Sequence, residues 1–343
     1  MIQRLIGVVF LAAVGCTVSP PPLVADGDGF DQELTRLDEQ IAALALRVEA
    51  SPTSWALRGQ VAGLYRHRAR LSGDWTDYQR AEDELARAFA DAPEGAGPHL
   101  EQAGLDLTLH RLSRVEGSLA RAEQRLLHGS DRQAAVATLR GEVAMLRDGY
   151  DAAGQLFDAA LAADSNAGVA ADQARLAWIT GDFDTAHALY DQAEAAYHGV
   201  SAEPRAWFHL QRGLMDLDRG RYADALAHYR DADVILPGYW LVHEHIAEAL
   251  MELGREDEAA RIYELVARDG FPDLQDTYAE LLREQGDEER AAELLSAAGA
   301  TWEQRLADFP DAAYGHAIGH YLITDPSRAV ELAALQLEEQ PSA

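Results

Sequence analysis

Twelve histidines and a single cysteine, Cys16, are the side chains of this chain best suited to hold a metal ion or act as a nucleophile. Two groupings have the spacing of a chelate: His243-Glu244-His245, and His316 with His320. Residues two apart on a helix point to different faces, so His243 and His245 cannot grip one ion together. The zincin pattern would also need a histidine at position 247, where Ala247 stands. His316 and His320 are four apart and share a face, which is chelate geometry. They make a metal- or substrate-handling protein one reading of the chain; in the other, both histidines are structural and pack on a paired helix.

Asp26-Gly27-Asp28-Gly29 opens like a calcium loop. Phe30 and Leu37, however, occupy the fifth and twelfth positions, where that loop needs an acceptor and a bidentate glutamate. The segment reads as a linker ending in an acidic helix cap. There is no Gly-x-Ser-x-Gly elbow, phosphate-binding loop or dinucleotide fingerprint. The expectation is a protein that is not an enzyme, with no catalytic residues and no cofactor. A net charge of −29 excludes a general nucleic-acid binder, because phosphate contacts need a basic face. All 29 cationic residues are arginine and Asn166 is the one asparagine, a usage that suits a GC-rich genome. Acidity on this scale also keeps a protein soluble in high salt.

The elements that must position these residues come from a repeat. Gly181-Asp182-Phe183-Asp184-Thr185-Ala186 is answered by Gly220-Arg221-Tyr222-Ala223-Asp224-Ala225, by Gly254 to Ala259 and by Gly286 to Ala291, with a relative at Gly149 to Ala153. From Ala153 through Ala186, Ala225 and Ala259 to Ala291, the steps are 33, 39, 34 and 32 residues. Twelve places before these alanines stand Gly141, Ala174, Gly213, Ala247 and Ala279; four places after the first four stand Phe157, Tyr190, Tyr229 and Tyr263. Self-similarity at this period means a helical solenoid. Small residues let two antiparallel helices approach, and a glycine between them ends the first helix in the left-handed conformation. No alternating β-branched segment stands out. The fold class is therefore all-α, with roughly sixteen to eighteen helices.

The pattern of small residue, turn glycine, aromatic, alanine and late proline, seen at Pro237 and Pro341, resembles the tetratricopeptide repeat family. The resemblance is good from about 131 to 340 and degenerate from 54 to 130, where Trp55, Gly59 and Ala81 look like an irregular early repeat and Val115 stands in an alanine place. It implies a right-handed superhelical solenoid of antiparallel hairpins that binds another protein. In the family, positions two, five, nine and twelve of each first helix line a concave groove. This gives Ala171, Arg175 and Trp178; then Trp207, Leu210, Leu214 and Leu217; then Leu241, Glu244, Glu248 and Met251; then Asp273, Asp276, Glu280 and Arg283. The groove runs from apolar to acidic, and exposed apolar side chains at such positions want a partner. The other reading is that Trp178 and Trp207 fill an over-tight superhelix.

At the start of the chain, Leu5 to Val14 is apolar throughout, too short to span a bilayer and of the right length for a signal peptide core. It leads to Gly15-Cys16, which resembles the bacterial lipoprotein box, although Ala13 departs from the strict pattern; an ordinary secretory signal is the alternative. The resemblance implies acyl chains on Cys16 that anchor the protein without a transmembrane helix. Thr17 follows in place of an inner-membrane retention aspartate, so an outer-membrane anchor facing the periplasm is expected. The chain thus divides into a signal peptide (1–15), a tether (16–29), degenerate helical hairpins (30–130) and tetratricopeptide-like repeats (131–343). The last helix carries Val330, Leu332, Leu335 and Leu337, so an apolar patch and self-association through it are also expected. If Cys16 is the anchor, a Cys16→Ser variant appears in the soluble fraction or persists as precursor, and fatty-acid labelling of the wild type that finds no label rejects the anchor.

Overall fold

The computed structural model describes residues 29–125, 129–164, 166–267 and 271–339. Cys16, the apolar segment before it, the tether up to residue 28 and Pro341 lie outside the described residues. Within them the chain is all-α, and its 17 helices fall in the expected range. None of these helices is long and apolar enough to cross a membrane.

A lone helix, α1 (Gly29–Ala50), precedes eight antiparallel hairpins. The first four pair α2 (Trp55–Ser72) with α3 (Thr76–Asp91), α4 (His99–Thr108) with α5 (Leu112–Arg125), α6 (Ser130–Leu146) with α7 (Tyr150–Ala163), and α8 (Ala167–Ile179) with α9 (Phe183–Ala196). The last four pair α10 (Glu203–Asp218) with α11 (Tyr222–Ile235), α12 (Trp240–Glu252) with α13 (Glu256–Val266), α14 (Pro272–Glu284) with α15 (Glu288–Asp308), and α16 (Pro310–Thr324) with α17 (Pro326–Glu339).

Local chemistry starts and stops these helices. Asn166, Asp182 and Asp287 cap α8, α9 and α15 by accepting backbone N–H bonds from Val169, Thr185 and Arg290. Proline opens α10, α14 and α16, where its missing N–H has no helical partner to lose. Gly181, Gly220, Gly254 and Gly286 all take the left-handed turn, with φ from 69° to 86°. In the α6–α7 hairpin Asp148 does so (φ 58°), whereas Gly149 keeps a φ of −83°; the turn stands one residue before the glycine that marks it in the sequence.

The twelve-residue pair of small residues sets the packing. Ala174 with Ala186, Ala247 with Ala259, and Ala279 with Ala291 are fully buried. A Cβ added at Gly213 would stand 2.2 Å from the Tyr229 ring, and one at Gly141 would stand 2.5 Å from Phe157. The aromatic four places after the marker therefore lies on the small residue of its own hairpin. Ala69 with Ala81 and Ala103 with Val115, also buried, carry the same pair through the first two hairpins, with Leu85 and Leu119 in the aromatic place. Those hairpins depart from the pattern in their turns and aromatics and keep its packing.

Two steps between markers are longer than the others, 39 residues from Ala186 to Ala225 and 38 from Ala291 to Ala329. The first adds the loop 197–202; the second extends α15 to 21 residues. Both additions meet the N-terminal helices. Glu33 of α1 accepts hydrogen bonds from Ser201 Oγ and from the backbone N–H of Ala202 (2.7 Å). Arg305, on the α15 extension, lies 4.4 Å over the Trp75 ring, and Phe309 meets Trp75 and Tyr78 edge-on. Between these points Phe30 stacks on Tyr239, and Trp240 donates to the Leu71 carbonyl (2.9 Å) and stacks on Phe271 at 4.1 Å. Leu37, Ile41 and Leu71 consequently belong to the same core as α10–α15. The array thus closes on itself, its first helices resting on its last four hairpins.

Gly213→Ala should destabilise the protein by about 1–3 kcal/mol, since the Tyr229 ring has nowhere to go in a filled core. Ala223→Leu, on the exposed side of the same hairpin, should be near neutral in thermal melts. Equal effects would show that the small residue does not set the packing.

Candidate functional site

The inward positions of the first helix in each hairpin face a narrow interior. Counted from the small residue Ala69, Arg66 and Arg70 take inner positions five and nine of the first hairpin, and Gly141 puts Glu142 at position nine of the third. Arg66 donates to the Gly104 carbonyl and to Thr108 Oγ1, both at 3.3 Å. Burial and the adjacent Arg70 lower its pKa, while Glu142 across the interior opposes them.

Glu142 and Asp172 share one cation, Arg175, at 4.0 and 3.7 Å. One guanidinium at these distances does not offset two enclosed carboxylates. Burial, with Glu142 beside it, pushes Asp172 up to about 8, and burial also raises Glu142. Asp172 still shows 22% of its side chain to solvent, so the water here is that of a confined space. Farther along, burial raises Glu244 to about 7 against the attraction of His245, with Asp273 and Glu248 adding repulsion. Glu244 makes no hydrogen bond or ion pair with another described residue. Its neighbour His245 is raised: burial opposes its proton, but the Glu248 carboxylate at 3.0 Å and Glu244 outweigh burial. Burial lifts Asp218 too, although Asp218 accepts a side-chain hydrogen bond from Trp178.

The groove residues expected from the repeat fall into two groups. Trp178, Leu214, Leu217, Leu241, Glu244, Glu248 and Met251 are half-buried, and Glu280 is exposed. Leu210 and Asp276 must be corrected as groove surface. Leu210 is fully buried in the core shared with α1 and α2. Asp276 is buried between the Trp302 indole N–H (2.9 Å) and His320 Nδ1 (2.7 Å). Trp207 packs against two hydrophobic clusters at once, as filler of a tight superhelix would.

The histidine pair of the last hairpin is divided. His316 Nδ1 bonds Asp273 at 3.0 Å and its ring stacks on Trp302, whereas His320 turns to Asp276. The Asp273 bond, against the effect of burial, raises His316. His243 is buried against Asp233 at 2.9 Å, away from His245. The imidazoles that do converge, those of His209 and His228, were not singled out by spacing because they come from different helices. On α17, Val330, Leu335 and Leu337 are exposed and Leu332 is buried. Arg66, Arg70 and Glu142 were legible from the twelve-residue pair once it is carried into the irregular hairpins.

Residues 216–276 match the tetratricopeptide repeat. No curated protein matches the sequence. Among solved structures, a chain of the APC/C hetero-tetramer Cut9–Hcn1 aligns with a TM-score of 0.51 at 12% identity, over 77% of this chain and 49% of that one. PilW, a type IV pilus biogenesis factor, aligns with a TM-score of 0.45 at 17% identity, over 62% of this chain and 92% of its own. PilF of Pseudomonas aeruginosa gives 0.42 at 18%, over 62% and 93%. At these identities the likeness is one of fold.

Asp172 and Glu244 bind their protons more tightly folded than unfolded. The folded state therefore holds the extra protons from about pH 4 up to about 7 for Glu244 and about 8 for Asp172, and stability falls as pH rises through that window. Asp172→Asn and Glu244→Gln should each raise the melting temperature at pH 8 and flatten its decline from pH 5. The variant comparison separates these carboxylates from the histidines that titrate nearby; an unchanged pH slope would rule out the assignment.

Proposed function

We propose that this tetratricopeptide-repeat protein is a non-enzymatic scaffold that holds a cationic, partly apolar segment of another protein inside its superhelix. The observation that carries the reading is Glu244, a half-buried carboxylate that makes no hydrogen bond or ion pair among the described residues and, with His245 only partly offsetting it, lies beside Glu248 and Asp273. A guanidinium or ammonium group there would add direct charge-assisted hydrogen bonds, which His245 does not make to Glu244. Trp178, Leu217, Leu241 and Met251 offer apolar contact on the same inner positions. The anchor would lie nearer Trp178, which packs against one hydrophobic cluster, than Trp207, which packs against two.

The sequence of residues 1–16 supports the rest of the proposal: a lipid anchor on Cys16 would place the interior in the periplasm, at the outer membrane. The exposed Val330, Leu335 and Leu337 of α17 would give a second contact, to a partner or another copy. No observation favours metal or substrate handling by His316 and His320, because each takes its own aspartate.

Peptides selected against the purified protein from a random library should carry arginine or lysine next to apolar residues. Trp178→Ala should weaken the selected peptide by about 2 kcal/mol or more. The Glu244→Gln, Glu248→Gln double variant should lower its association rate and its dependence on salt. Selection of acidic peptides, or binding indifferent to all three substitutions, refutes the interior as the site.

A further inference from the structure

The α10–α11 hairpin carries a second constellation, away from the interior. His209 is two residues on from Trp207, roughly 200° round α10, and His228 and Asp231 lie one turn apart on α11. His209 Nδ1 and His228 Nδ1 are both closed off from solvent and make no hydrogen bond. A ring nitrogen in that state has lost its water without gaining a partner, which is unfavourable.

The opposite edge of each ring does have a neighbour. Glu194 lies 3.4 Å from His209 Nε2, and Asp216 lies 3.6 Å from His228 Nε2. Neither contact is a formed hydrogen bond, but each carboxylate stands at the ring edge where metal-binding histidines direct their remaining N–H, leaving the other nitrogen to present its lone pair. Asp231 supplies a third donor, 3.8 Å from His209 Nδ1. One donor atom from each of the three residues lies within 4.8 Å of the other two. A tetrahedral zinc ion with bonds of about 2.0–2.1 Å sets its donors about 3.3 Å apart. Closing onto the ion needs a contraction of roughly 1.5 Å at most, within the reach of side-chain rotation.

The surroundings agree with a cation. Arg212 is bound by Asp191 at 2.5 Å and lies 3.9 Å from Glu194, which Arg205 also meets at 3.4 Å, and Arg219 and Arg221 lie against Asp216 at 3.4 and 3.6 Å. Asp231 has no arginine partner among the described residues, and with 63% of its side chain exposed it opens the cluster to solvent. Two imidazoles and one carboxylate suit zinc better than calcium or magnesium, which prefer all-oxygen sites.

We infer that His209, His228 and Asp231 bind one divalent transition-metal ion of the zinc type, with a fourth coordination position left to water. Three protein ligands and an open position distinguish such a site from a closed structural one.

The test is calorimetric titration of ZnCl2 into the full chain, freed of metal by chelation, with CoCl2 titrated in parallel for its visible spectrum. One equivalent should bind, and Co2+ should show the intense absorption of four-coordinate geometry. His209→Gln, His228→Gln and Asp231→Asn should each weaken binding at least tenfold, and Glu194→Gln about tenfold through the orientation of His209. The His316→Gln, His320→Gln double variant should match wild type. Circular dichroism melts without metal check that the variants fold; should either histidine variant fail, the exposed Asp231→Asn carries the comparison. Absence of one-equivalent binding, or binding unaltered in the folded ligand variants, overturns the inference.

Discussion

The contact on which the structure depends is that between a small residue and a ring of the paired helix, as where Gly213 lies under Tyr229 and Gly141 under Phe157. Helices can approach that closely only if neither carries a side chain at the crossing, so these positions tolerate little beyond glycine or alanine. Repeating the contact at each hairpin repeats the same small rotation. In this chain the rotations accumulate until the array meets itself.

That meeting changes what a concave face can do. An open solenoid presents all its inner positions to a ligand. Here α1 and α2 take part of that surface: Leu210 vanishes into a common core with Leu37 and Ile41, and Trp240 is committed to Leu71 and Phe271. What is left is smaller and more enclosed, and its carboxylates feel one another more strongly than they would on an open surface. Burial first, and the neighbouring carboxylates after it, raise Asp172 and Glu244. Confinement, more than the number of acidic residues, distinguishes the interior from the generally acidic exterior.

The hairpins were legible because their constraint is local: the marker alanine, its small partner twelve places before and the glycine turn all fall within a few dozen residues. Even the slipped turn at Asp148 follows the same frame. Closure was not legible, since it joins residues nearly 170 apart, such as Glu33 and Ala202, through ordinary hydrogen bonds with no motif. Its one trace in the sequence is the pair of long steps, 39 and 38 residues, which look like noise in the period and prove to be the pieces that reach the N-terminal helices. The inner-face assignment inherits that limit. Glu244 and Glu248 keep their inner positions, whereas Asp276 is claimed by Trp302 and His320 from hairpins whose side chains the repeat pattern does not specify.

Closure also bears on how the chain acquires its structure. Repeat arrays ordinarily gain order piecewise, each hairpin depending on the next alone, with low contact order and early ordering of whatever emerges first. Here Trp75 and Tyr78 complete their surroundings only when Phe309 arrives, and α1 has its partners in α10–α15. The N-terminal hairpins must wait through most of synthesis for the segments that cover them, and the loop-closure entropy of more than two hundred residues falls on that single late step. Once made, the joint ties the least regular repeats to the most regular ones. Fraying from the N-terminal end then requires breaking contacts with the middle of the array, and the ends of the solenoid lose the independence that a linear stack would give them.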